Sequence, residues 1–250
     1  MKWLASEAYR NLTQIYAQTP DDAARLELIG GKVDGVFGNL KFDITPNDDQ
    51  LVKAQEMRSA LHKPVILFAS SREGEEEIFI NSLKALPNKV RASAHWLIVP
   101  RHPQRFDVVA ELIEAAGFVV ARRGHWPTNV MDDSVWLGNS LGEMVFYCGL
   151  ASAALLGGSF EKLGGQNLIE ILACGCPVVM GPHTFNFEDA SLFAEEARVA
   201  FRVESLERAI GRSLELCALN GFNKNAAYSF VAKHRGAAAK TAIAIQNLLR

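Results

Sequence analysis

Residues 153–180 read AALLGGSFEKLGGQNLIEILACGCPVVM, and this stretch carries the clearest signal of the fold class. It starts with an apolar run at 153–156, passes through two glycine pairs into a helical segment at 167–173, and ends in a second apolar run at 177–180. Fully apolar strands separated by a helix are typical of a parallel sheet that is covered on both faces. The stretch therefore predicts an α/β fold built on a parallel sheet.

The same alternation extends in both directions along the chain. Further strands are predicted at 13–18, 33–37, 64–69, 95–99, 118–121, 134–137 and 199–203. Helices are predicted at 20–29, 75–86, 103–116 and 141–150, and a helical pattern dominates from residue 187 onward. The polar segment 41–49 (KFDITPNDD) contains Pro46 and is the best candidate for a linker.

Composition excludes several classes of protein. The 250 residues are 49% hydrophobic and 22% charged, which excludes a disordered or fibrous chain, and the formal net charge is 26 − 28 = −2. No basic excess is present to drive binding to nucleic acid, so we expect no nucleic-acid partner. The N-terminal residues lack the apolar core of a secretory signal, and no apolar run is long enough to span a membrane. We expect the chain by itself to be cytosolic.

The cysteines and histidines give no metal signature. Cys148, Cys174, Cys176 and Cys217 lack a CxxC spacing, and we expect Cys174 and Cys176 to fill core space. The six histidines show neither HxxxH nor HExxH spacing, and the pairs 21–22, 48–49 and 132–133 (Asp-Asp) are typical of turns and helix starts. The sequence therefore predicts no metal site and no cofactor.

The loops that follow the predicted strands are the places where a parallel sheet binds ligands. The strongest is 157–170, in which Gly164, Gly165, Gln166 and Asn167 open a helix whose N–H groups can attract phosphate, while Glu170 can accept hydrogen bonds from ribose hydroxyls. The alternative is a glycine-rich turn with a capping Glu. The loop matches neither the GxGxxG fingerprint nor a Walker A loop.

Three other loops carry candidate residues. In 69–77 (ASSREGEEE), Ser70 or Ser71 can cap a helix and the acids suit its N-terminus, but Arg72 could pair with an anion. In 100–106 (PRHPQRF), the basic side chains either face a ligand or are simply solvated. In 137–144 (LGNSLGEM), Ser140 lies between two glycines at a strand-to-helix turn, and we expect no serine hydrolase chemistry from it.

Five segments, taken in order, resemble the C-terminal part of the 3-deoxy-D-manno-octulosonic acid (Kdo) transferase family. They are 38–43 (GNLKFD), 70–77 (SSREGEEE), 100–106 (PRHPQRF), 157–170 (GGSFEKLGGQNLIE) and 181–187 (GPHTFNF). The resemblance implies the GT-B arrangement of two Rossmann-like domains. It divides the chain into a remnant of the N-terminal, acceptor-side domain at 1–46, a nucleotide-sugar donor domain at 47–233, and a C-terminal helix at 234–250, which in this layout packs back on the N-terminal domain.

The resemblance also implies a reaction. The family transfers Kdo from CMP-Kdo to the lipid A precursor lipid IVA without a metal, at the cytoplasmic face of the bacterial inner membrane. Donor-binding residues carried over from the family motifs are Ser70, Ser71, Arg72, Glu73, Arg101, His102, Asn139, Ser140, Gly142, Glu143, Met144, Gly164, Gly165, Gln166, Asn167 and Glu170. The family usually has His at Arg72 and Asp at Asn139, so donor affinity or donor identity can differ here. The general base and the membrane-facing surface belong to the upstream domain, so we expect a C-terminal fragment with no catalytic residue of its own.

Two other functions fit the same loops. One is a nucleotide-sugar binding module without catalysis, and the other is a GT-B-like enzyme that uses a UDP-sugar. The base contacts that would separate cytidine from uridine are not visible in the sequence.

Overall fold

The apolar runs form a large parallel sheet in a computed structural model of the chain, which describes residues 2–126, 134–218 and 222–249. Asp132 and Asp133 lie outside these residues. The strands are β1 Tyr16–Ala17, β2 Gly35–Val36, β3 Val65–Ser71, β4 His95–Pro100, β5 Val119–Arg122, β6 Ser134–Leu137, β7 Ala153–Leu156, β8 Val178–Met180 and β9 Ala200–Arg202. Strands β3 to β9 form one sheet in the order β5-β6-β4-β3-β7-β8-β9, with every pairing parallel.

Helices alternate with the strands along the chain, and those within residues 75–218 cover both faces of the large sheet. The helices are α1 Lys2–Arg10, α2 Pro20–Leu28, α3 Asp48–Ser59, α4 Glu75–Ala85, α5 Asn88–Arg91, α6 Phe106–Ala115, α7 Met144–Leu150, α8 Leu168–Ala173, α9 Glu188–Glu196, α10 Leu206–Ala218, α11 Lys224–His234 and α12 Ala237–Leu248. Short 3₁₀ turns occur at Leu40–Asp43, Pro103–Arg105, Arg123–His125 and Phe185–Phe187. The sequence-based assignment of a parallel α/β fold is confirmed.

The core lies where α4, α6 and α10 pack on one face of the sheet. Ile66 and Phe68 of β3 point to this face together with Ile98 of β4, and all three are fully buried. Alternate residues of a strand point to opposite faces, so Leu67 packs on the side covered by α7, with α3 outside it. Burial on both faces explains why these strands read as continuous apolar runs.

The chain divides into two units. One unit comprises Met1–Thr45 together with Val231–Arg250, and the other comprises Pro46–Phe230 and contains the large sheet. The divisions fall after Thr45 and after Phe230. The C-terminal residues group with the N-terminal ones, because α12 packs on the 3₁₀ turn at Leu40–Asp43.

Asp43 caps the start of α12. Its carboxylate accepts the N–H groups of Gly236 at 2.6 Å and Ala238 at 2.7 Å, and the neighbouring Phe42 ring is buried and stacks on His234 with centroids 4.8 Å apart. These hydrogen bonds outweigh desolvation of the carboxyl, which alone would raise its pKa, and lower the pKa of Asp43. The segment predicted as a linker therefore carries ordered contacts.

The prediction of a linker over 41–49 missed the start of helix α3. Asn47 accepts the N–H of Gln50 at 3.0 Å and caps α3, whose first turn holds Asp48 and Asp49. The same polar residues that are typical of a linker are here a helix start. Helix α1 was likewise not predicted.

Three free thiols lie inside the sheet-bearing unit. Cys148, Cys174 and Cys176 are buried, as predicted for the latter two, whereas Cys217 is half-buried. A hydrogen bond with Cys174, together with burial, raises the pKa of Cys148, and burial raises the pKa of Cys176. Burial raises the pKa of Cys217 to about 11.

Candidate functional site

A cavity of about 280 Å³ opens at the carboxyl ends of β3 and β7, in the unit that holds the large sheet. The strand order reverses between these two strands, since β4 follows β3 on one side and β7 lies on the other. Ligands of open α/β sheets bind in the crevice at such a reversal. The lining residues are Ala69, Ser70, Arg101, Met144, Leu156, Gln166, Asn167, Glu170 and Ile171.

Strained backbone forms one edge of the cavity. Ser70 has φ 54°, in the left-handed region that residues other than glycine rarely adopt, and the pairing of β3 with β4 shifts register between Ala69 and Ser71. A Cβ atom on Gly157 would lie 2.1 Å from the Ser70 carbonyl oxygen. Position 157 therefore admits only glycine as long as Ser70 keeps this conformation.

Glu75 holds two of the surrounding loops together. Its carboxylate is fully buried and accepts the N–H groups of Arg72 at 3.0 Å, Gly158 at 2.7 Å and Phe160 at 3.1 Å. Burial raises the pKa of Glu75, while these hydrogen bonds act in the opposite direction. The loop after β3 is thus fixed to the loop after β7.

Glu76 connects a third loop. It is also fully buried, and Arg105 donates to it with Nε at 3.1 Å and Nη2 at 2.7 Å from Oε2. Ser71 Oγ donates to the same carboxylate at 3.3 Å. Because Arg105 follows β4, this bidentate pair anchors the loop that carries Arg101.

Several N–H groups at the start of α8 already donate hydrogen bonds within the preceding loop. Asn167 Oδ1 accepts the N–H of Ile169 at 3.2 Å, while Gly165 N–H donates to Gly158 O at 2.7 Å and Gln166 N–H to Gly157 O at 3.0 Å. Two of the N–H groups predicted to face phosphate are therefore used within the loop. The expectation of an open series of donors from Gly164 to Asn167 is corrected accordingly.

The polar wall of the cavity combines a carboxyl group and a guanidinium group. Arg101 is exposed and donates from Nε to Gln166 Oε1 at 3.2 Å, and the half-buried Glu170 lines the same cavity. Burial raises the pKa of Glu170, and the nearby charge of Arg101 lowers it in part. A carboxylate and a guanidinium facing one small cavity can bind a ligand that carries both hydroxyl groups and an anion.

The structure brings six predicted site residues to the cavity: Ser70, Arg101, Met144, Gln166, Asn167 and Glu170. The other ten do not line it: Ser71, Arg72, Glu73, His102, Asn139, Ser140, Gly142, Glu143, Gly164 and Gly165. Among these, Arg72 is half-buried beside Gly158 and has no ion-pair partner in the described part of the chain. Glu73 has an 84% exposed side chain, 3.6 Å from Arg105.

Asn139, Ser140 and Glu143 belong to a separate network around Arg123. Arg123 donates from Nε and Nη2 to Glu143 at 3.1 and 3.0 Å, its backbone N–H donates to Asn139 Oδ1 at 2.9 Å, and Ser140 bonds both Glu143 and Tyr147 at 2.5 Å. Burial raises the pKa of Glu143, but the hydrogen bonds from Ser140 and Arg123 outweigh it and lower that pKa. This network supports the start of α7, which brings Met144 to the cavity.

Ser140 does not have the partners of a hydrolase nucleophile. The segment Gly138-Asn139-Ser140-Leu141-Gly142 has the spacing of a nucleophile elbow, so spacing alone does not exclude that chemistry. Within the described residues, however, the hydroxyl bonds a carboxylate and a phenol, not a histidine. It therefore lacks the histidine base of a Ser-His-Asp triad.

Sequence reasoning missed the residues that fix the loops. Glu75 and Glu76 were interpreted as acids that suit a helix N-terminus, and Arg123 was not singled out. Each also has a partner far along the chain, 20 residues away in Arg123–Glu143 and 85 residues away in Glu75–Phe160. No local signal could have found them.

Neither a metal site nor a membrane span is found in the parts of the chain that the structure describes. Across 2–126, 134–218 and 222–249, no three or more His, Cys, Asp or Glu side chains cluster in a way that could hold an ion. In the same ranges, no helix has the length and apolar character needed to cross a membrane.

Comparison with known proteins gives one consistent result. The chain is 42% identical over 99% of its length to the 3-deoxy-D-manno-octulosonic acid transferase of Bordetella pertussis, and 35% identical over 81% of its length to that of Haemophilus influenzae. It spans 60% of the first relative and 48% of the second. No family model matches.

Among solved structures, the C-terminal CMP-Kdo binding domain of WaaA from Acinetobacter baumannii superimposes with a TM-score of 0.66. The match is 23% identical and covers 75% of this chain and 98% of that domain. At this identity the likeness shows a shared fold.

Proposed function

We propose that the Pro46–Phe230 unit binds the donor CMP-Kdo. The premise is that the chain is homologous to part of the Kdo transferases and has the Rossmann-like fold of a GT-B glycosyltransferase domain. The complete protein then transfers Kdo to the lipid A precursor, lipid IVA. The observation that carries the proposal is the cavity at the reversal of strand order between β3 and β7, which both Arg101 and Glu170 line. The similarity of the chain to Kdo transferases suggests which ligand this cavity takes.

The polar side chains of the cavity suit the parts of a cytidine monophosphate sugar. Glu170 accepts hydrogen bonds from the ribose hydroxyls, because a carboxylate only accepts. Arg101 faces the phosphate or the carboxylate of Kdo, both of which suit a guanidinium. Asn167 and Gln166 complete the nucleotide side, and Met144 and Ser70 border the sugar side.

Residues just outside the cavity supply its shape. We assign Glu143 and Gly142 to support of Met144, and Gly164 and Gly165 to the turn before α8. Arg72 lies beside Gly158 with no carboxylate partner in the described part of the chain, so its guanidinium is free to approach the donor phosphate. His102 and Glu73 lie at the exposed rim.

The reaction needs only charge stabilisation from this unit. An acceptor hydroxyl loses its proton to a general base and attacks the anomeric carbon of Kdo, while CMP departs with the bonding electrons. Arg101 and Arg72 stabilise the phosphate that gains charge as the bond breaks, which is the largest catalytic effect expected here. We propose that no metal takes part.

The acceptor side belongs to the portion of the relatives that this chain does not match. We place there the general base, the binding of lipid IVA and the attachment to the cytoplasmic face of the inner membrane. In this proposal the present chain binds CMP-Kdo but does not convert lipid IVA by itself. Kdo transfer to lipid IVA by the purified chain would contradict that assignment.

A thermal-shift titration with CMP, UMP and UDP tests donor binding. A ligand at one hundred times its Kd stabilises the native state by about 2.7 kcal/mol, which raises the Tm by several degrees in a chain of this size. We expect a shift with CMP. A larger shift with UDP would favour the UDP-sugar alternative, and the absence of any shift would contradict a nucleotide site.

A further inference from the structure

The loop after β8, residues 181–187 (GPHTFNF), contacts the turn at 163–165 that precedes α8. Asn186 donates from its backbone N–H to the Gly164 carbonyl at 3.0 Å and from Nδ2 to the Leu163 carbonyl at 3.0 Å. Its Nδ2 also donates to the Gly165 carbonyl at 3.4 Å. One residue thus binds the carbonyl groups of all three residues of the turn.

This close approach requires glycine at position 164. Gly164 has φ 86°, and a Cβ atom there would overlap Asn186 Nδ2 and lie 2.5 Å from the Phe185 ring. Gly165 follows with φ 75°. Since glycine has the greatest backbone freedom, two glycines in succession keep one conformation only where other groups fix them. The Asn186 hydrogen bonds supply part of that constraint.

The loop after β8 is itself fixed to its neighbours. Arg202 of β9 donates from Nη1 to the buried Thr184 Oγ1 at 2.9 Å and to the Gly181 carbonyl at 3.2 Å. Glu195 of α9 accepts from Nε and Nη2 of the same guanidinium at 3.1 and 2.9 Å. The Gly181 N–H donates to Ser159 Oγ at 2.8 Å. Asn186 therefore projects from a loop that is held at its base.

The turn leads directly to three polar residues of the donor cavity. Gln166 and Asn167 follow it, Glu170 lies in the first turn of α8, and all three line the cavity. Asn186 does not line the cavity. Because the three residues share one short segment, a shift of the turn at 163–165 would move them all relative to a bound ligand.

We propose that Asn186 is a positioning residue for the donor nucleotide: it fixes the turn at 163–165 and thereby places Gln166, Asn167 and Glu170 for binding. The inference rests on the proposed function, since these residues act on the donor only if the cavity takes CMP-Kdo. It also gives Gly164 a role outside the cavity, which is to let Asn186 approach the turn.

Calorimetric titration with CMP compares wild type with Asn186→Ala, which removes the Nδ2 donor and keeps the backbone N–H. We expect the Kd for CMP to rise about fivefold, as for the loss of one net hydrogen bond. Because Asn186 is exposed, the Tm without ligand should change little. A purely structural contact would not change affinity without changing stability. Asn186→Ser replaces Asn186→Ala if the latter does not fold.

Two control variants separate affinity from stability. Ile113→Val truncates a fully buried side chain of α6 that does not line the cavity, so it should lower the Tm and leave the Kd for CMP unchanged. Asn11→Ala repeats the Asn-to-Ala change in the other unit, where the side chain donates only to the Glu7 carbonyl, and should bind CMP like wild type.

Hydrogen exchange followed by mass spectrometry tests the turn without a ligand. The N–H groups of Gly165 and Gln166 are hydrogen-bonded within the loop, so peptides that contain 163–167 should exchange faster in Asn186→Ala, by about the same factor of five. Peptides from α6 should exchange at the wild-type rate. Unchanged exchange at 163–167 would contradict the inference.

The titration distinguishes failure of this inference from failure of the proposed function. CMP binding of equal strength to wild type and folded Asn186→Ala would overturn the inference alone. An absence of CMP binding to folded wild type would overturn the proposed function, and the inference with it.

Discussion

The carboxylate of Glu75 accepts the Gly158 N–H at 2.7 Å and thereby joins two loops that are 83 residues apart in sequence. The same carboxylate accepts the N–H groups of Arg72 and Phe160. Since the cavity lies at the ends of β3 and β7, the strands that precede these two loops, its shape depends on a buried acid that is not itself among the lining residues.

Removing this acid should destabilise the whole unit. Glu75→Ala leaves three N–H groups at half-buried or buried positions without their acceptor, and we expect the free energy of unfolding to fall by about 3 kcal/mol or more. Urea denaturation measures the change. Glu77→Ala, at an exposed position of the same helical turn, should stay within about 0.5 kcal/mol of wild type. Equal effects of the two substitutions would show that the Glu75 contacts contribute little.

A methyl group at Gly157 should disturb the strained edge of the cavity. The new Cβ would meet the Ser70 carbonyl oxygen at 2.1 Å, so Gly157→Ala forces the backbone apart, with an expected loss of about 1–3 kcal/mol. The Tm measured by calorimetry should fall. Gly211→Ala is the control, because it meets no atom within 4 Å inside α10 and should stabilise the helix by roughly 0.5–1 kcal/mol.

The bidentate pair of Arg105 and Glu76 should contribute more than an exposed pair. Arg105→Ala leaves a fully buried carboxylate uncompensated, and we expect a loss of about 3 kcal/mol in chemical denaturation. Arg212→Ala breaks the partly exposed i,i+3 pair with Glu215 and should cost less than about 1 kcal/mol. A loss no larger than that of Arg212→Ala would contradict this role of the buried pair.

Glu170 should contribute to nucleotide affinity but little to stability. Glu170→Gln keeps the shape of the side chain and removes the charge that accepts the ribose hydroxyls, so CMP binding should weaken by about 1–3 kcal/mol with an unchanged Tm in the absence of ligand. Calorimetric titration gives the affinity. Glu196→Gln, exposed at the end of α9, should bind CMP like wild type. An unchanged affinity for CMP in Glu170→Gln would contradict ribose binding and leave Glu170 only the structural role of a capping residue in the turn.

The affinity for CMP should depend on the protonation of Glu170. Burial raises the pKa of Glu170 above its ordinary value, so on acidification this side chain takes up a proton at a higher pH than an exposed glutamate does. Only the ionised form accepts both hydroxyl hydrogen bonds, and CMP binding should therefore weaken as the pH falls through that raised pKa. The phosphate of CMP titrates identically with both proteins, so the difference between wild type and Glu170→Gln isolates the carboxylate. A constant difference across the acidic range would contradict the assignment.

The parts of the fold that were predictable are those in which a local pattern and the tertiary structure agree. The strands at 134–137 and 153–156 were assigned with the bounds that the structure shows, because both are mostly apolar and end in glycine-containing turns. The rule that ligands bind after the strands predicts Arg101 and Glu170 as candidate binding residues. Both line the cavity.

What could not be predicted depends on distant partners or on ambiguous local chemistry. An acid in the first turn of a helix has a sufficient local explanation, so nothing in the sequence marked Glu75 as buried. Asn47 and the acids that follow it suit a linker and a helix start equally well, and the neighbours that distinguish the two, such as Gln50 with Phe146, lie far along the chain. The packing of α12 on the N-terminal residues was implied by the family resemblance alone, because its contact joins Asp43 to Gly236, 193 residues away, and leaves no local signal.

The reactivity of the native buried thiols can report local opening of the sheet-bearing unit. A maleimide or disulfide reagent reacts with a thiolate, and the elevated pKa of Cys148 and Cys176, added to their burial, keeps these thiols inert while the sheet is closed. The half-buried Cys217 reacts ahead of them. The delay between labelling of Cys217 and labelling of the buried thiols then measures how often the interior of this unit opens to solvent, and no cysteine has to be engineered into the chain.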